Sequence, residues 1–200
     1  NEVVRLDTAS LELDAHAKLS GTLAEGLAYD NGYLYVCNSG QGEDNKISVV
    51  DVDKMEENKV IETAMNPSGI VSVGEGVLYF NTDYPNYRMY KLDATTTTIT
   101  PIDGFQVATM ALANNNKTIY TTSFDWDTYE GETNMVNIST DKATKLQLDY
   151  KIGAINNSNN IFLSGMGEDI IIFDPATQEI VHALKLGVAN ASGVVAIYDN

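Results

Sequence analysis

Four stretches of this chain can be written under one another, and that repetition limits its fold more than any other feature. Residues 26–38 (GLAYDNGYLYVCN), 69–81 (GIVSVGEGVLYFN), 109–122 (TMALANNNKTIYTT) and 153–165 (GAINNSNNIFLSG) share one pattern. Each is an apolar run, a short turn of Asn, Asp, Gly or Glu, and a second apolar run holding an aromatic. The second runs start at Leu34, Leu78, Ile119 and Ile161, giving spacings of 44, 41 and 42 residues. After a polar loop each unit continues into an alternating segment, at 47–53 (ISVVDVD), 88–93 (RMYKLD), 134–139 (NMVNIS) and 169–174 (DIIIFD). A turn rich in Asp, Thr, Pro and Lys follows, and a last short strand opens at Lys59, Ile99, Lys145 and Ile180. Alternation with β-branched and aromatic residues marks strands, and the Asn/Asp/Gly clusters mark hairpin turns. No stretch of useful length carries a helical period. Four antiparallel strands in roughly 40 to 45 residues is the signature of a propeller blade. The sequence therefore predicts an all-β chain, a β-propeller of four-stranded antiparallel blades with about 42 residues per blade.

The repeat divides a single domain, 1–200, into blades at 22–64, 65–104, 105–149 and 150–187. Residues 1–21 read as the end of a blade, because Asp7 aligns with Asp174 four periods later. Residues 188–200 read as the start of a further blade, because SGVVAIYDN from Ser192 follows the pattern of SGIVSVGEG from Ser68. Two rings fit. One has five blades and is closed by pairing the first strands with the last. The other is a longer, seven-bladed ring seen through a window, which the unpaired edge of a lone inner strand favours. Leu27, Ala28, Ile70, Val71, Met110, Ala111, Ala154 and Ile155 give the first strands a small, apolar character expected where blades converge.

Composition narrows the function classes. Hydrophobic residues make up 44% and charged residues 20%, as in a globular chain. Lys plus Arg number 12 against 28 Asp plus Glu, a net charge of −16, which repels phosphate backbones and anionic headgroups. Nucleic acid is therefore not an expected partner. No apolar run approaches the roughly 18 residues of a transmembrane helix. The single cysteine excludes an internal disulfide framework, and two histidines leave little for imidazole catalysis.

On a propeller, the loops between second and third strands are the usual ligand face. The longest of them, 124–133, carries the only tryptophan, Trp126, with Tyr129, Asp125, Asp127, Glu130 and Glu132. Its neighbour carries Tyr84, Tyr87 and Arg88. Aromatic faces beside acidic and amide groups suit a flat or partly apolar small molecule, or a partner protein. Trp126, Tyr129, Asp125, Asp127, Tyr84, Tyr87 and Arg88 are thus the candidate ligand-binding set. The carboxylates lack the spacing and turn glycine of a calcium loop, so no metal site and no cofactor are expected. Cys37 reads as a small buried apolar residue. His16 and His182 fall on outer strands without a nucleophile placed beside them, so no catalytic residue is assigned. Asp7, Asp51, Asp93 and Asp174 close third strands and are expected to organise the following turn through Asx bonding.

The sequence of small-apolar strand, Asn/Gly turn, hydrophobic-Tyr strand, polar loop and hydrophobic-x-hydrophobic-Asp strand resembles the YncE-like, surface-layer-type propellers. GLAYDNGYLYVCN with ISVVDVD, and DIIIFDPATQEIV, carry the likeness best. The Asn and Tyr content is similar to the versions found in exported lipoproteins of gut Bacteroidetes. That resemblance implies an extracellular, cell-surface or periplasmic protein, and one branch of similar propellers captures cobalamin beside an outer-membrane transporter. The expectation is a non-enzymatic propeller that binds a small molecule, such as a corrinoid or glycan, or an outer-membrane partner protein. A lactonase- or lyase-like propeller enzyme and a purely structural surface module are the alternatives.

Overall fold

The structure is a computed structural model that describes residues 1–113, 115–125, 127–128, 130–146, 151–155, 159–164 and 169–187. Its strands are β1 (Glu2–Leu6), β2 (Leu13–Lys18), β3 (Ala24–Asp30), β4 (Tyr33–Asn38), β5 (Lys46–Asp51), β6 (Glu56–Glu62), β7 (Pro67–Gly74), β8 (Val77–Thr82) and β9 (Met89–Asp93). They continue with β10 (Thr98–Ile102), β11 (Thr109–Leu112), β12 (Thr118–Asp125), β13 (Glu130–Asn137), β14 (Lys142–Leu146), β15 (Lys151–Ile155), β16 (Ile161–Ser164), β17 (Asp169–Asp174) and β18 (Glu179–Lys185). Among the described residues the only helical element is a 3-10 turn at Gly40–Gly42. Four sheets hold four strands each, β3 to β6, β7 to β10, β11 to β14 and β15 to β18, in sequence order, and β1 and β2 form a two-stranded sheet. The chain forms two compact units, Asn1–Pro101 and Ile102–Asn200.

Second strands are buried more completely than half-exposed alternation would give. In β8, Leu78, Tyr79 and Phe80 are all fully buried, and in β4 so are Val36 and Cys37. A strand covered on both faces reads as a continuous apolar run, which is why β4 and β8 stand out in the sequence. Outer strands reverse the balance, and every residue of β18 is exposed. Within the first unit, Val3, Ala17 and Leu19 pack with Val36, Val50 and Met55, fixing the β1–β2 hairpin to the β3–β6 sheet. Within the second, Tyr120, Leu146, Ile152, Ile155, Ile161, Ile171 and Phe173 form one core between its two sheets.

First strands show why small residues occupy them, and also where the expectation of a uniformly apolar inner strand fails. A Cβ on Gly26 would fall onto the Ser68 carbonyl oxygen and lie 3.0 Å from the Gly69 Cα, so β3 meets β7 backbone to backbone. Ala28 shares that buried face, while Leu27 and Tyr29 on the opposite face are 57% and 60% exposed. Strand alternation allows only every second residue into the contact.

The turns from third to fourth strands are nearly identical. Asp51 Oδ1 accepts the amides of Asp53 and Lys54, and Asp93 Oδ1 those of Thr95 and Thr96. Asp7 does the same for Ala9 and Ser10, Asp174 accepts from Ala176, and Asn137 fills the place in the β13–β14 turn. Four residues after each acceptor stands a left-handed residue: Leu11, Met55, Thr97, Asp141 and Gln178, with φ between 52° and 60°. The Asx bonding expected from the sequence is thus present, with a left-handed residue added that no side-chain pattern announces.

Candidate functional site

The loop joining β8 to β9 is closed by a pair of bonds, Thr82 N–H to the Arg88 carbonyl at 2.9 Å and Arg88 N–H to Thr82 Oγ1 at 3.2 Å. Inside it Tyr84 is 70% exposed. The Tyr84 and Tyr87 rings meet edge to face, 6.4 Å between centroids at 73°. Tyr87 holds a left-handed φ of 44°, a conformation that bulky side chains rarely adopt. Burial pushes its phenol up, and the charge of Asp83 adds to the shift. Arg88 is exposed and makes no ion pair among the described residues.

What holds this loop is Asn66, a residue the sequence offers only as an Asn-Pro step before β7. Asn66 is 7% exposed and left-handed. Its Nδ2 donates to the Tyr84 carbonyl at 2.7 Å, its carbonyl accepts the Asp83 amide at 2.9 Å, and its own amide donates to the Asp44 carbonyl at 2.8 Å. One residue, through its side chain and its backbone together, therefore pins the β8–β9 loop to the β4–β5 loop. Asp44, which looks in the sequence like one more surface acid, is 4% exposed. It accepts the Thr22 amide and hydroxyl and the Asn45 amide, and Lys46 lies 3.4 Å away. Burial pulls its pKa up, but these donors outweigh it and hold the carboxyl below its ordinary value.

In the second unit the expected long loop at 124–133 is largely absent. β12 and β13 run on through the pairs Ser123↔Glu132, Phe124↔Gly131 and Asp125↔Glu130, leaving only 126–129 as a connection. The alternating Thr121, Ser123 and Asp125 continue the pleat, so residues that looked like loop chemistry are strand chemistry. Trp126 and Tyr129 lie outside the described residues. Asp125 and Asp127 are exposed. Asp125 Oδ1 accepts the amides of Asp127 and Thr128 at 2.8 and 3.2 Å, and the Thr128 and Asp127 amides hold its carboxyl below the ordinary aspartate value. Beside the hairpin is a cleft of about 250 Å³ lined by Phe105, Gln106, Asp125, Glu130, Glu132 and Lys145 among others. Glu132 is committed there to Asn134 at 2.7 Å and Lys145 at 3.1 Å. Among the described residues no three His, Cys, Asp or Glu side chains gather as metal ligands would.

The structure therefore brings Tyr84, Tyr87 and Arg88 together on one loop of the first unit, and Asp125 and Asp127 together on one hairpin of the second. Cys37 is fully buried and burial pushes its thiol far up, so it is no nucleophile. His16 is half exposed and pairs through Nδ1 with Glu2 at 2.9 Å, and His182 is exposed on β18.

No family model and no curated protein matches the chain. Solved structures do. Kuenenia stuttgartiensis hydrazine synthase superposes with a TM-score of 0.74 at 13% identity, over 92% of this chain and 60% of that one. The Myceliophteria thermophila Cps50 (Swd1) β-propeller domain superposes with a TM-score of 0.72 at 10% identity, over 92% of this chain and 65% of that one. The chain thus spans under two thirds of the length of either. At such identities the likeness concerns the fold alone, and it agrees with the sheets just described. The chain has the β-propeller fold, built of four-stranded antiparallel blades.

Proposed function

We propose that this protein is a non-enzymatic recognition propeller, exported to the cell surface or periplasm, that binds a small molecule or a partner protein through the loops between second and third strands. The observation that carries the reading is the Tyr84–Tyr87 ring pair, Tyr84 exposed and Tyr87 half-buried, on the loop that ends at Arg88 and is braced by Asn66. An exposed Tyr84 ring set against a half-buried, left-handed Tyr87 and held by a buried hydrogen-bonded pin is arranged for contact as well as for packing. Edge-to-face tyrosines with a neighbouring guanidinium accept flat or partly apolar surfaces, corrinoid and glycan among them. The resemblance to exported YncE-like propellers supports the location.

The single tryptophan supplies the assay. Cobalamin and a glycan panel are titrated against Trp126 fluorescence, and saturable quenching is expected from a true ligand. Replacing Trp126 by Ala, a variant without the reporter and so read by calorimetry, is expected to weaken that ligand. Unchanged affinity in Trp126→Ala would remove Trp126 from the site.

A further inference from the structure

The turn that joins β3 to β4 carries the chain's one Asn-Gly step, Asn31–Gly32. Asp30 and Tyr33 pair across the hairpin, so these two residues are the whole connection. Both are exposed and both are left-handed, with φ of 46° and 86°. Asparagine and glycine tolerate such a two-residue turn, which is why the step stands here. The same pair of residues carries a chemical liability. An asparagine side-chain amide carbon lies within bonding reach of the following backbone nitrogen, and a side chain on that following residue is the main obstacle to their meeting.

At Gly32 the obstacle is missing. A Cβ built there would meet nothing within 4 Å, so the nitrogen is open to the side chain before it and to solvent. Its N–H lies outside the paired strands and donates to the Tyr29 hydroxyl oxygen at 3.2 Å, on a side chain that is itself 60% exposed.

Three other positions set this one apart. Glu75 and Gly76, 44 positions on, fill the β7–β8 turn with φ of 57° and 79°, so an acidic residue is already accommodated at this place in the repeat. Asn116, 85 positions on, stands in the β11–β12 turn, exposed and at φ 49°, but Lys117 follows it. Asn38 precedes the small Ser39, yet it is fully buried, and its Nδ2 donates to the Val36 carbonyl at 3.1 Å and to Ser48 Oγ at 2.9 Å.

We propose that Asn31 is a self-modifying site, at which the folded protein converts asparagine to aspartate and isoaspartate. The Gly32 nitrogen, giving its proton to a solvent base, bonds to Asn31 Cγ, and the Cγ–Nδ2 bond breaks with release of ammonia. The resulting cyclic imide takes up one water at either carbonyl. Opening between Cγ and the nitrogen gives aspartate. Opening between the backbone carbonyl carbon and the nitrogen gives isoaspartate, whose chain runs on through Cβ and Cγ. One water enters, one ammonia leaves, and nothing is oxidised or reduced. Aspartate keeps the turn, as Glu75 does in the next blade. Isoaspartate adds a backbone atom between ends fixed by the Asp30–Tyr33 pair and by the Gly32 carbonyl, which accepts the Val52 amide at 3.1 Å, so it loosens the hairpin. The site lies at the opposite end of the strands from the recognition loop, and the proposal uses none of that loop's residues.

The protein is held folded in mildly alkaline buffer at body temperature for weeks, with circular dichroism as the check on folding. Intact mass and peptide mapping with electron-transfer fragmentation follow it and separate the two products. The expected result is a mass gain of one water less one ammonia, located at Asn31 as both aspartate and isoaspartate, at a rate about tenfold or more above that at Asn116. Asn31→Asp should remove the gain from this peptide. The isoaspartate-bearing fraction should melt below the aspartate-bearing one, and equal melting would overturn the loosening. Asn31 unchanged in the folded protein, or Asn116 modified as fast, overturns the proposal.

Discussion

Thr97 is a β-branched residue held at φ 58° in the turn between β9 and β10. Left-handed backbone crowds Cβ against the following carbonyl at a cost of roughly 1–2 kcal/mol, which glycine does not incur. Thr97→Gly should therefore raise stability by about 1 kcal/mol, a rise of roughly 2–4 °C in the melting temperature for a chain this size. A lower melting temperature would mean that the Thr97 side chain contributes more than its backbone costs. The acid at the start of the same turn makes a different prediction. The amide of Thr96 first, with that of Thr95, holds the Asp93 carboxyl below its ordinary 3.8. A folded value lower than the unfolded one adds stability above the ordinary value and loses it as pH falls through the folded one. Asp93→Ala should lower the melting temperature at neutral pH by a few degrees. Asp93→Asn keeps an acceptor that cannot titrate, so its stability should fall less steeply than the wild type's below about pH 4. Equal acid slopes in the two would remove Asp93 from the turn. The acids were legible in the sequence because Asx bonding demands a particular side chain. The left-handed positions were not, because Leu11, Met55, Thr97, Asp141 and Gln178 share no chemistry.

At the scale of elements, second strands and their turns could be read from apolar runs and Asn-Gly steps, since burial on both faces leaves no ambiguity about what is inside. Two elements could not be read so. The β12–β13 hairpin carries Trp, Gly and four carboxylates at its far end and looks like a loop, although its ladder extends to Asp125↔Glu130. Cross-strand pairing, not local composition, decided that end. The contact of β3 with β7 was visible only as a taste for small residues. Its cause is Gly26, where a methyl would enter the Ser68 carbonyl. Gly26→Ala should destabilise the protein by about 3 kcal/mol, since the obstacle is backbone that cannot rotate away. Chemical denaturation measures it, and a loss under about 0.5 kcal/mol would show that the strands can part without consequence.

Across the whole molecule, a repeated scaffold carries unrepeated ends. The net charge of −16 leaves the Arg88 guanidinium an uncommon positive group, one of only two arginines, on an exposed aromatic loop. That placement is what the proposed recognition surface would use, and the propeller fold accommodates many other surfaces without selecting among them. The residues that brace the loop, Asn66 and Asp44, escaped the sequence because their importance lies in burial. An asparagine before proline and an acid among acids carry no mark of being 7% and 4% exposed.

The central claim is that the Tyr84–Tyr87 loop is a recognition surface. It is tested most directly by calorimetric titration of the wild type and the Tyr84→Ala/Tyr87→Ala double variant, using cobalamin and the glycan panel. The account predicts a ligand whose affinity falls at least tenfold in the double variant, about 1.4 kcal/mol, while the melting temperature stays within a degree or two. Equal affinities in the two proteins would contradict it.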